Sequence, residues 1–123
     1  MATARRFTLE EANAALSELR ERLERIRTLR EQVIATAEEI SERASRNGGA
    51  TTPARSEEAA DQMRAEIEAI AAAGIILRDA ETGLVDFPSE RDGEEILLCW
   101  RLGEDDVGFW HPTDSGFSGR TPL

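Results

Sequence analysis

The chain has 123 residues, 33% of them charged and 40% apolar, with a formal net charge of −10. That suits a single small domain over 1–123 with one modest core. The acidic balance argues against a nucleic-acid binder, which needs a basic face for phosphate, and against a polybasic membrane-surface protein. No apolar run approaches the ~20 residues of a spanning helix. The lone cysteine, Cys99, excludes an internal disulfide framework and fits a reducing compartment.

Arg5 and Arg6 could open a twin-arginine export signal, but Thr8, Leu9, Glu10 and Glu11 follow in place of an apolar stretch. The expected location is therefore cytoplasmic. Thr8 and Glu11 have the spacing of a capping box. From there to Arg46 there is neither glycine nor proline, which predicts a long first helix over 7–46. Leu9, Leu16, Leu23 and Ala37 recur by sevens, as do Ala12, Leu19, Ile26, Val33 and Ile40. This is the a/d seam of a coiled coil. Arg30 falls on an a position, with Leu29 beside it, so the seam is expected to shift or open there. Asn47, Gly48 and Gly49 are expected to end the helix, and 48–53 reads as a loop.

A second helix is predicted over 53–73, started by Thr52-Pro53 or Ser56 and stopped by Gly74. Its apolar face is Ala59 or Ala60, Met63, Ile67 and Ile70. Folded back as an antiparallel hairpin, about 20 residues (about 30 Å) cannot cover a first helix of about 57 Å. An uncovered leucine seam is an association surface, and a homodimer through Leu16, Leu19, Leu23, Ile26 and Val33 is the economical solution.

After Gly74 the pattern changes to short apolar runs between turn signals. Ile75-Ile76-Leu77 precedes a turn at 79–83. Leu84 to Phe87 reads as a strand closed by Pro88. Glu90 to Gly93 is a turn, Glu95 to Arg101 a strong strand, and Val107 to His111 a return strand after a turn at 103–106. A three- to four-stranded antiparallel β-meander over 75–111 is expected, followed by an irregular tail over 112–123 laid on the sheet by Phe117 and Leu123. The fold class is α+β.

Residues 74–123 hold 11 acids and 4 arginines, an excess that serves solubility or a cation or basic-partner site. In that half lie the only histidine, His111, and the only thiol, with Asp86 and Glu104 close by in sequence. Cysteine, histidine and carboxylate are the ligand set of a zinc or iron site. Whether Cys99 and His111 can meet depends on the turn at 103–106. With two or four residues they point to opposite faces; only an odd turn of three or five brings them together. As a nucleophile–base pair they would need the same register, and the acidic surroundings would raise the thiol pKa. Arg120, after Gly116 and Gly119, either closes an anion clasp or pairs with Glu104 or Asp86 and pins the tail. There is no HExxH, GxSxG, CxxC or glycine-rich phosphate loop.

The words Leu84-Val85-Asp86-Phe87-Pro88, Leu98-Cys99-Trp100-Arg101-Leu102-Gly103-Glu104, Gly108-Phe109-Trp110-His111 and Gly116-Phe117-Ser118-Gly119-Arg120 resemble those of a family of small bacterial and archaeal proteins catalogued as a domain of unknown function. Phe7 to Asn13 matches the same family's helix start. The resemblance covers nearly the whole chain and implies a cytosolic protein of long helices followed by a small sheet. It carries no activity. Its words point to Asp86, Cys99, Trp100, Glu104, Trp110, His111 and Arg120. Two functions are therefore expected. One is a non-enzymatic interaction module that self-associates through the first helix. The alternative is a small metal- or ligand-binding protein whose site uses His111, Glu104, Asp86 and Cys99, with zinc or iron as the metal and Arg120 nearby.

Overall fold

The computed structural model describes residues 5–47 and 54–123, with the side chains of 5–39 and 57–123. The expected loop at 48–53, the helix start at Thr52-Pro53 or Ser56, and the seam side chain Ile40 lie outside the described residues. Two helices, α1 (Leu9–Asn47) and α2 (Ala54–Ala72), precede five strands: β1 (Ile76–Asp79), β2 (Leu84–Arg91), β3 (Glu94–Arg101), β4 (Phe109–Pro112) and β5 (Thr121–Pro122). The class is α+β, helices then sheet. No described helix is long and apolar enough to cross a membrane.

Local chemistry sets the ends of the helices. The Glu11 amide donates to Thr8 Oγ1 (3.1 Å) and the Thr8 amide to Glu11 Oε1 (2.9 Å), so the capping box forms. The Thr8 amide and hydroxyl hold the Glu11 carboxyl below its usual range. At the other end of the helical half, Ile75 N donates to Ile70 O and Gly74 N to Ala71 O, with Gly74 at φ +86°. That is a Schellman stop, and only glycine adopts its left-handed conformation without strain.

α1 is unbroken past Arg30; Leu29 takes up the buried position that the arginine leaves. The uncovered seam expected from the spacing is not what the structure shows over most of its length. Leu16, Leu19, Leu23 and Ile26 are buried inside the chain itself, in one core with Ile70 of α2 and Val85, Phe87, Ile96, Leu98 and Trp100 of the sheet. The sheet covers what α2 is too short to cover. Of the five seam residues only Val33 is half-exposed. α1 and α2 are also joined by Arg22 and Arg25, which both pair with Glu66 (3.1 and 2.9 Å).

The sheet is an antiparallel meander in the order β1-β2-β3-β4-β5, one strand more than the sequence pattern suggests. Two local features explain the difference. Strand β2 does not close at Pro88 but runs on to Arg91. β1 covers only Leu84 to Asp86, so the missing N–H of Pro88 faces no ladder partner, and its carbonyl accepts from Phe7 N at 2.7 Å. The tail is not wholly irregular either: Thr121 and Pro122 pair with Trp110 and Phe109. Phe117 and Leu123, expected to lay it down, are both exposed. Between β2 and β3, Asp92 and Gly93 both take positive φ, the two-residue turn that matches strand twist.

Candidate metal centre

Side chains alternate across each strand, so burying Val85, Phe87, Leu98 and Trp100 on the helices turns Asp86 and Cys99 to the other face. Asp86 and Cys99 are directly opposed across β2 and β3. The register of β4 then decides what joins them. Cys99 faces Phe109 and Leu97 faces His111, so His111 shares the face of Cys99, while Trp100 and Trp110 lie on the helix side. The even-turn alternative is overturned: seven residues, Leu102 to Gly108, connect β3 to β4, an odd number. That connection is fixed from α1. Asn13 Oδ1 accepts from Val107 N (2.8 Å), and Arg20 donates to the carbonyls of Glu104 and Asp105.

One candidate ligand atom from each of Asp86, Cys99 and His111 lies within 4.8 Å of the others, and the residues are 2%, 1% and 1% exposed. Asp86 sits at the centre. Its Oδ2 accepts from Arg78 Nε at 2.7 Å and its Oδ1 lies 3.0 Å from His111 Nε2. His111 Nδ1 is 2.8 Å from the Pro112 carbonyl oxygen. A carbonyl only accepts, so Nδ1 carries hydrogen, and Nε2 is turned on a carboxylate oxygen. Between Nε2 and Oδ1 lies either a proton that Nε2 donates to Asp86 or, in its place, a metal ion. A backbone carbonyl that fixes the tautomer and turns the other ring nitrogen inward is the usual support of a metal-bound histidine.

The carboxylate, thiol and imidazole form an O, S, N set of the kind that zinc or ferrous iron takes. In a tetrahedral site such donors stand about 3.3–3.6 Å apart, so no pair of the three needs to shift by more than about 1 Å, the 3.0 Å His111–Asp86 pair opening slightly. Glu104, expected among the ligands, is elsewhere: its Oε1 accepts from Arg101 N (2.7 Å) and Arg120 Nη2 (2.6 Å). Arg120 thus pairs with Glu104 and pins the tail, the second of its two expected roles. Arg78 is invisible to the sequence pattern as a partner of Asp86. The signal was its place on the strand beside Asp86, readable only once β1 is set against β2.

Burial pushes the Cys99 thiol up to about 11, the Asp86 charge adding to the rise and the Arg120 guanidinium opposing it. Both ring nitrogens of His111 are turned on oxygens and not on the sulfur, so the histidine is not placed as a base for the thiol. A raised pKa means a neutral thiol throughout the physiological range, and at pH 8 about one thiol in a thousand is ionised. Iodoacetamide should therefore modify Cys99 slowly in the folded protein and readily after denaturation, read by mass spectrometry. Rapid stoichiometric labelling of the native protein would contradict this.

These features define an α+β protein with a buried acid–thiol–imidazole cluster on the sheet face opposite its helices. The chain matches the family described as "Uncharacterized conserved protein (DUF2203)" over residues 5–123 and belongs to that family. Comparison with curated proteins and with solved structures finds no match.

Proposed function

We propose that this protein binds a divalent transition metal, zinc or ferrous iron, through Asp86 Oδ1, Cys99 Sγ and His111 Nε2. The carrying observation is the convergence of His111 Nε2, Asp86 Oδ1 and the Cys99 thiol, all buried, the first two 3.0 Å apart. Arg78 on Asp86 Oδ2 leaves Oδ1 for the ion. The thiolate and the Asp86 carboxylate together neutralise a divalent ion, which is what a buried site beside two arginines requires. A reduced thiol as ligand suits the cytoplasm.

The test is cobalt(II) titration of the reduced protein. One equivalent should bring up a thiolate-to-cobalt charge-transfer band and the visible bands of tetrahedral cobalt. Cys99→Ser should lose the charge-transfer band, and His111→Ala should lose tight binding of cobalt and zinc. A reduced, folded protein that takes up neither cobalt, zinc nor iron would overturn the reading.

A second reading, self-association into a homodimer, is favoured by one observation. On the outer side of α1, Val33 is half-exposed and Ile34 41% exposed. A contact between copies would use these residues and not the buried leucines.

A further inference from the structure

Strand β4, which carries His111, is held on its outer side by β5 through Phe109 with Pro122 and Trp110 with Thr121. Leu123 N adds a bond to Gly108 O at 2.9 Å. What fastens β5 from the ligand side of the sheet is Arg120. Its side chain is only 11% exposed. The guanidinium lies 4.1 Å from the ring centre of Phe109 and 4.7 Å from that of Phe117. Its Nη2 donates to Glu104 Oε1 at 2.6 Å and to the Cys99 carbonyl oxygen at 3.4 Å. Phe109 is the residue opposed to Cys99, so the guanidinium stands on the same sheet face as the thiol, at the Cys99 main chain.

One detail is left over. Arg120 Nε is buried and has no acceptor, and a buried donor without one is costly. A neutral thiol is a poor acceptor; a metal-bound thiolate is a good one. With Asp86 and the thiolate neutralising a divalent ion, the guanidinium would meet the thiolate and not a bare excess of positive charge.

Resting on the metal reading above, we propose that Arg120 is a positioning residue that donates to the Cys99 thiolate of the loaded site, so that metal occupancy and docking of β5 strengthen one another. Groups that hold metal ligands from behind are worth about 10–100-fold in affinity, and a coupling between two binding events is equal in both directions.

The test uses the full chain, with zinc affinity measured against a competing chelator and amide hydrogen exchange followed with and without zinc. In the unaltered protein zinc should slow exchange at Thr121 and Leu123. Arg120→Met should weaken zinc about 10–100-fold and shift the thiolate-to-cobalt band. Arg120→Lys should recover part of both. Equal zinc affinity in the unaltered and Arg120→Met proteins would overturn the coupling and leave the metal site standing. So would exchange at Thr121 and Leu123 that zinc leaves unchanged, a readout that holds even if the variant does not fold. An unaltered protein that takes up no zinc overturns the metal reading and the coupling with it.

Discussion

Asp86→Ala is expected to lower the stability of the metal-free protein by about 1–3 kcal/mol, the usual cost of leaving a buried polar group without its partner. Asp86 is buried and holds two partners, Arg78 Nε at 2.7 Å and His111 Nε2 at 3.0 Å. Alanine leaves the buried histidine nitrogen without the carboxylate it faces. A small domain has about 5–15 kcal/mol in total, so the loss is a large share. Asp86→Asn keeps the volume and one acceptor, and should cost less while still removing the ligand charge. Urea denaturation with unchanged slope measures both. A loss under about 1 kcal/mol for alanine would show that Arg78 and His111 find other partners and that the cluster does little for the fold.

The second large effect is on α1. Ile26→Glu should abolish folding, because Ile26 is fully buried in the core shared by α1, α2 and the sheet, and an unpaired carboxylate there costs more than the protein has to give. Circular dichroism and size-exclusion chromatography read the outcome as loss of the cooperative transition. A folded Ile26→Glu protein would show that the packing of α1 on the sheet is dispensable. Ile34→Glu is the companion: at 41% exposure it should leave the fold intact, and it would dissociate a dimer only if copies meet through this exposed face of α1. The pair separates a folding role of the helix from an association role, which the heptad spacing alone does not.

That contrast shows where sequence reading stops. The seam spacing correctly marks Leu16, Leu19, Leu23 and Ile26 as the apolar face of a helix, since periodicity states which side is buried. It is silent about what buries that side. A partner helix from another copy and the chain's own sheet make the same demand on the spacing, and here the sheet answers it. Pro88 is a similar case. Its lack of an N–H does bar a ladder bond, but the bar matters only where a neighbouring strand exists, and β1 ends before reaching it.

By itself the sequence determined what rests on neighbours within a few residues. Thr8 and Glu11 cap α1, Gly74 stops α2, and Asp92 and Gly93 turn β2 into β3. It also determined which residues could serve as ligands, since only one thiol and one imidazole exist. Tertiary structure alone decided which of them meet. Whether His111 joins Cys99 turns on a single residue's parity in the Leu102 to Gly108 connection. That parity is held by Asn13 and Arg20, more than eighty residues away. A strand's side-chain period is two, so a slip of one residue sends the histidine to the opposite face, and no local preference in the connection is large enough to choose between the two. The same dependence hid Arg78 and moved Glu104 out of the ligand set and onto Arg120: each is placed by a strand or tail whose position only the folded chain defines.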